Sequence, residues 1–194
     1  MILFLKYPHK EKKMGKVERW DVYDINRIKT GIMNRGDEFA EDAYTCVMHI
    51  CIFNSKGEML IQKRQPFKTT WPGLWDLSIG GHTEAGETSQ VSAARELFEE
   101  LGLKRDFTGV RPHFTINFVH GFDDYFFLEE DVDINELKLQ EEEVSEARWA
   151  TREEIKEMIE DGSFIPYFPS LIDFMFESIN GRGAHMNEPD RFIK

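Results

Sequence analysis

Apolar and polar positions alternate along Glu18–Asp24, as they do in a strand with one buried face. Asp24-Ile25-Asn26 opens a turn, and Ile28–Met33 returns as a second strand. Tyr44–Asn54 is a long β-rich apolar run, Asn54–Gly57 a hairpin turn, and Met59–Lys63 the returning strand. Trp75–Ile79 predicts a short strand that runs into Gly80-Gly81. The period then changes. From Ser89 to Leu101 the apolar positions are Val91, Ala94, Leu97, Phe98 and Leu101, one stripe of a helix that Gly102 ends. Strands follow near His113–Val119, Asp124–Leu128 and Ala147–Ala150. Thr151, with Glu154 behind it, predicts a capped helix to about Glu160, and a last helix runs from Ser170 to about Ile179. Strands, one helix, more strands and then helices make an α+β domain, or a mixed sheet packed between helices.

The 194 residues suffice for one domain with a sizeable core. There are no repeats and no linker-like composition break, so residues 17–180 read as a single domain and 181–194 as a C-terminal tail. Residues 1–16 read differently and are set apart as an N-terminal extension, either disordered or upstream of a true start at Met14. The apolar Met1–Leu5 run is too short for a signal-peptide core, and no stretch approaches a membrane span. A net charge of −12 argues against a nucleic acid polymer or an anionic membrane as partner. Cys46 and Cys51 lie on opposite faces of one strand and read as buried thiols in a reducing compartment, so the expected location is cytoplasmic.

The helix carries the chemistry. On a helical wheel Glu96, Glu99 and Glu100 cluster opposite the apolar stripe, with Arg95 placed to pair with Glu99. The glutamates repel one another and occupy the last turns, where the helix dipole favours cations. A divalent cation would remove that penalty, and carboxylates are the ligands Mg²⁺ takes beside water and phosphate.

The whole stretch Gly81–Leu103, GHTEAGETSQVSAARELFEELGL, resembles the Nudix box, Gly-x5-Glu-x7-Arg-Glu-U-x-Glu-Glu-x-Gly-U with U aliphatic. Gly81, Glu87, Arg95, Glu96, Leu97, Glu99, Glu100, Gly102 and Leu103 fill all nine specified positions. A chance match is on the order of one in a million. The resemblance to Nudix hydrolases implies an α/β/α sandwich with a loop–helix–loop. It implies Mg²⁺- or Mn²⁺-dependent hydrolysis of a diphosphate bond in a nucleoside diphosphate linked to another moiety, or a related small-molecule diphosphate. In the family's pattern Glu96, Glu99, Glu100 and the Gly81 carbonyl are the metal ligands, while Glu87 and Arg95 form the salt bridge that aims them. No nucleophile dyad is apparent, so water is the expected nucleophile. Its proton goes to Glu100, to Glu99 or to a glutamate of the 141–143 run, of which Glu143 is best placed. The family is often dimeric. The N-terminal hairpin and the last helix are the candidate interfaces of a homodimer, and the sequence leaves the assembly state open.

The flanks FNSKG, MLIQKR and WPGLW, with Ser78, Gly81-His82 and Glu87, are similar to isopentenyl-diphosphate isomerase and its Nudix relatives. The isomerase places a proton-transferring cysteine directly before the Gly-His pair, where this chain has Gly80. Its box also departs from the consensus kept whole here. The pattern favours a hydrolase on an isomerase-like scaffold. The alternatives are isomerase-like activity and a non-catalytic Nudix-fold binding domain. Arg64 and Lys68 are candidate phosphate donors, and His82 a candidate substrate contact. Trp71 and Trp75 could stack on a base or pack the core, and the core is favoured; His49, within the apolar strand, is read as structural. Either Asp123 or Asp124 faces the site, and strand alternation does not say which.

Overall fold

The computed structural model describes residues 17–179 and Gly181; the expectations for residues 1–16 and for most of the 181–194 tail lie outside the described residues. The strands are β1 (Arg19–Tyr23), β2 (Lys29–Asn34), β3 (Thr45–Phe53), β4 (Met59–Arg64), β5 (Trp75–Asp76), β6 (Ile79–His82), β7 (Phe114–Phe118), β8 (Gly121–Glu129) and β9 (Val144–Ala150). The α-helices are α1 (Ser89–Leu101), α2 (Arg152–Glu160) and α3 (Pro169–Glu177). A single 3-10 turn at Ile134–Glu136 was not foreseen. The mixed sheet runs β5-β4-β3-β8-β7, with β6 on β3 and β9 on β4. Among the described strands of this sheet the β3–β8 pair is parallel and the other strand pairs are antiparallel.

The parallel register explains the unbroken apolar run of β3. Ile50 lies opposite Phe126 and Cys51 opposite Phe127. Met48, Ile50, Ile52 and Phe126 pack with Ala93, Leu97 and Leu101 of α1. Cys51, Phe53, Tyr125 and Phe127 pack with Ile155 of α2 and with Ile172 and Met175 of α3. Both faces of the strand are therefore covered, and a strand buried on two sides needs no polar face. The two free cysteines fall on opposite faces of β3, both buried.

The single strand expected at Trp75–Ile79 is two. Trp75 and Asp76 pair with β4, whereas Ile79–His82 crosses to β3. The crossing occurs where β3 and β4 diverge after their one close pair, Phe53 opposite Met59. Ser78, fully buried, closes the gap: its hydroxyl donates to the Leu60 carbonyl and accepts from the Ile52 N–H at 2.9 Å. A side-chain hydroxyl thus substitutes for missing ladder bonds between the parted strands. β8 begins three residues earlier than the expected Asp124 start, and β9 three earlier than Ala147. The Thr151–Glu154 capping box forms as expected, while α3 starts on Pro169 at its first turn and ends at Glu177.

The β1–β2 hairpin forms its own small sheet beside the loop that leads into α1. Asp21 accepts from the Gly86 N–H at 3.0 Å, and the Ala85 N–H donates to the Arg19 carbonyl at 2.8 Å. Lys29 closes on Asp21 at 2.8 Å. The hairpin thereby fixes the loop before the helix begins.

Candidate active site

Helix α1 is bounded by local chemistry. The Thr88 side chain accepts from the Val91 N–H at the N-terminus, and Gly102 takes the left-handed conformation at the other end (φ 75°). Of the apolar stripe read from the sequence, Leu97 and Leu101 are buried and Ala94 packs against the core, but Val91 is not. Val91 is 52% exposed, while Ser89, Ser92, Ala93, Leu97, Glu100 and Leu101 are buried. The face that meets the sheet is turned toward the glutamates, because small and polar residues enter it between the apolar ones. Glu96 and Glu100 are therefore drawn inward rather than held in solvent.

Arg95 organises the acids. Its guanidinium donates to Glu87 (Nε at 3.0 Å, Nη2 at 2.9 Å), to Glu96 at 2.6 Å, to Glu99 at 3.2 Å and to the Ser92 hydroxyl at 3.1 Å. Burial alone would lower its pKa, but Glu87 and Glu96 outweigh that and raise it. A Cβ added to Gly81 would lie 3.0 Å from Glu96 Oε1, so the Glu96 carboxylate sits flush on the Gly81 backbone. Glu100 takes a different partner: Gln62 Nε2 donates to it at 3.0 Å. Among the described residues no three His, Cys, Asp or Glu side chains converge on a single point. Glu96 and Glu99 share one Arg95 nitrogen, and Glu100 stands beside them.

Burial pushes the Glu96 carboxyl up to about 7 against the downward pull of Arg95. Burial also raises Glu100 well above the usual carboxylate range. The charge of Glu96 adds to that shift, the Gln62 amide opposes it, and the charges of Glu143 and Asp76 raise it further. The cluster has more buried negative charge than its one arginine neutralises.

Of the outlying residues, Glu143 and Asp76 stand near enough for their charges to act on Glu100. Lys68 is ion-paired with Glu143. Arg64 bonds the Thr70 carbonyl at 3.2 Å and lies 3.6 Å from Asp76. His82 stacks on Trp20 with ring centroids 3.9 Å apart, and burial lowers its pKa to about 4, so it is a neutral imidazole near pH 7. Asp123 faces His49 at 3.8 Å, whereas Asp124 turns to the other side and binds Arg27 at 2.9 Å and the Thr115 hydroxyl at 2.7 Å. His49 stacks on Tyr125, in keeping with a structural place. Trp75 is buried, but Trp71 is half exposed and does not belong to the core. Gln62, Asp76 and Glu18 were not singled out from the sequence. An amide inside the apolar β4 run was the signal for Gln62.

Position 80 bears on the isomerase alternative. A Cβ there would lie 2.8 Å from His49 Nδ1. A cysteine would have to displace a ring held by Tyr125, so the site lacks both the proton carrier and the room for it.

The chain matches the NUDIX domain model over residues 44–168. It is 48% identical over 170 residues to an uncharacterized Nudix hydrolase of Listeria monocytogenes, covering 87% of this chain and 99% of that one. An isopentenyl-diphosphate Delta-isomerase of Salmonella heidelberg is 33% identical over 84 residues, covering 41% of this chain and 46% of the isomerase. A crystal structure of a Deinococcus radiodurans protein superposes with a TM-score of 0.68 at 23% identity, over 81% of this chain and 98% of that one, which shows the fold. The match spans the box, the strands around it and α2, and the nearly full-length relative carries the hydrolase name: this chain belongs to the Nudix hydrolase family, whose members hydrolyse diphosphate bonds.

Proposed function

We propose that the protein hydrolyses a diphosphate bond in a nucleoside diphosphate linked to another moiety, or in a related small organic diphosphate, with Mg²⁺ or Mn²⁺ as cofactor. The observation that carries this reading is the partly buried Glu96 carboxylate, held by Arg95 on the Gly81 backbone, with the buried Glu100 near enough to feel its charge. That donor set fits a divalent cation: hard oxygen ligands, excess negative charge and a backbone carbonyl at hand. Glu96, Glu99, Glu100 and the Gly81 carbonyl would hold the ion. When bound it would neutralise substrate charge, activate water and stabilise the leaving oxygen.

The chain's own residues do the rest. Arg95, fixed by Glu87, holds Glu96 and Glu99 in place. Arg64 and Lys68 donate to the phosphates, with Lys68 exchanging Glu143 for substrate. His82, uncharged, offers a neutral hydrogen bond. Water attacks phosphorus, the bridging P–O bond breaks, and the water's proton passes to Glu99, Glu100 or Glu143. The net charge of −12 goes against nucleic acid polymers and anionic membranes as partners. No helix among the described residues is long and apolar enough to cross a membrane.

The test is a turnover screen with Mg²⁺, Mn²⁺ or EDTA, with products identified by mass. Nucleoside triphosphates, nucleoside diphosphate sugars, ADP-ribose, dinucleotides and isopentenyl diphosphate form the panel. The expected result is a phosphate-containing fragment that appears only with metal. Conversion of isopentenyl diphosphate to an isomer of equal mass would replace the hydrolase with the isomerase. Metal binding without turnover would favour a binding domain.

Gly81 supplies a sharper prediction. Gly81→Ala places a methyl group 3.0 Å from Glu96 Oε1 and pushes that carboxylate aside. The expected outcome is a loss of turnover of about ten- to a hundredfold, as for a misaligned ligand. The melting temperature should hold, because Gly81 has an ordinary extended backbone. Kinetics and a thermal melt on the same preparation check both halves.

A further inference from the structure

A cavity of about 480 Å³ lies apart from the acidic cluster. The β1–β2 hairpin, the first turn of α1 and residues 111–115 enclose it. Thr88, Ser89 and Gln90 belong to its wall, and from Gln90 to Glu100 the helix rises by about 15 Å. Alternation along β8 puts Phe122, Asp124 and Phe126 on one face, and Phe126 packs with α1. The cavity, which holds Phe122 and Asp124, is therefore on the opposite side of the sheet from Asp123 and His49.

In a chain of net charge −12 this cavity is basic. Arg27 and Arg111 line it against one carboxylate, Asp124. Asp124 is buried and already answered, by Arg27 Nη2 at 2.9 Å and by the Thr115 hydroxyl at 2.7 Å. Among the described residues Nη2 is the one Arg27 nitrogen that donates a hydrogen bond, so Nε and Nη1 are left over. The guanidinium is steadied by the Phe122 ring, whose centre is 3.8 Å away. Arg111 is exposed, and among the described residues it makes no ion pair or hydrogen bond. Arg27 has a structural task, since it clips the hairpin to the sheet. Arg111 has none. Around these two cations the wall is aromatic: Tyr23 and Phe122, in edge contact at 5.4 Å, and Phe114.

We propose that this cavity is a second ligand site, which takes a small organic anion. Its phosphate or carboxylate head is held by Arg27 and Arg111, and its apolar body lies against Tyr23 and Phe114. Guanidinium forks match both kinds of head. The volume falls among those of pockets for organic ligands, roughly 300–1,000 Å³, and exceeds what a bare inorganic ion fills. The site binds without reacting. Cys46 is the thiol on its wall, and burial pushes that thiol up to about 12, far from a reactive thiolate.

The test uses the full chain in EDTA, so that no metal draws an anion to Glu96 and Glu100. Phenyl phosphate and benzoate are titrated and followed in amide NMR spectra, with phenol and inorganic phosphate as controls. Saturable shifts are expected at residues 23–28, 88–91 and 111–115, and none at 99–102. The tighter of the two anions identifies the head group. Phenol and inorganic phosphate should each bind about tenfold more weakly, because each lacks one half of the recognition. Arg111→Gln should weaken both organic anions about tenfold and leave the melting temperature unchanged, since that side chain supports nothing in the fold. Arg27→Lys keeps a cation on Asp124 and should still weaken binding, for want of the fork. Glu100→Gln should bind as the wild type does. No saturable shift with either anion, phenol binding as tightly as they do, shifts centred on residues 99–102, or an affinity that Arg111→Gln leaves intact would overturn the proposal. None of these readings involves turnover, so they decide the matter whether or not the protein cleaves a diphosphate.

Discussion

Glu100→Gln lowers turnover by about two to three orders of magnitude while the protein stays folded. The substitution keeps the side chain's volume and its contact with Gln62, so α1 has no reason to move. It replaces a buried acid whose charged form burial and Glu96 both disfavour, so stability holds or rises slightly. Charge stabilisation at a metal-assisted transition state amounts to several kcal/mol, and each ~1.4 kcal/mol is a factor of ten in rate. The expected signature is a fall in kcat with an unchanged or higher melting temperature, together with weaker Mn²⁺ binding by titration calorimetry. A variant with near wild-type turnover would remove Glu100 from the metal site.

Arg95→Ala has the opposite profile, with stability and activity lost together. The guanidinium serves three carboxylates and a hydroxyl from a largely buried position. Without it Glu87 and Glu96 are stranded in a poorly solvated place. Stranding a buried charge costs about 3–5 kcal/mol, a large share of the roughly 5–15 kcal/mol that holds a domain together. Arg95→Lys separates the two roles. Lysine keeps the charge but lacks the planar fork that reaches Glu87 and Glu96 at once. The Lys variant is expected to recover most of the stability in urea denaturation and little of the turnover. Equal recovery of both would mean that charge alone, not geometry, is what Arg95 contributes.

The box was legible because its chemistry is local. Capping by Thr88, the left-handed Gly102 and the Arg95 bonds all join residues within one loop and one helix. Where the sequence misled, the missing information was nonlocal. The apolar stripe of α1 points Val91 inward, but the sheet accepts Ser92 and Glu100 instead, since Gln62 on β4 supplies a partner. Alternation could not choose between Asp123 and Asp124. The choice follows from the register with β3, which sets Asp123 on the His49 face and leaves Asp124 to Arg27. The break of the Trp75–Ile79 strand depends on Ser78 meeting Leu60 and Ile52, two strands that no short-range pattern relates. Trp71 looked like core because tryptophan usually is; its exposure is set by a turn that the adjoining Pro-Gly pair only hints at.

The parallel pairing of β3 with β8 has a consequence for how the molecule is made. Thr45 finds its partner at Gly121, and Phe53 at Glu129, so the two middle strands meet only after β4, β5, β6, α1 and β7 have been made between them. Closing so large a loop must be accomplished before the contacts that reward it form, and such topologies fold slowly. The hairpins β1–β2 and β3–β4 need no such wait. On the ribosome the centre of the sheet is therefore completed late, after α1 has already been synthesised. Until β8 emerges, the apolar edge of β3 depends on other chains not finding it first.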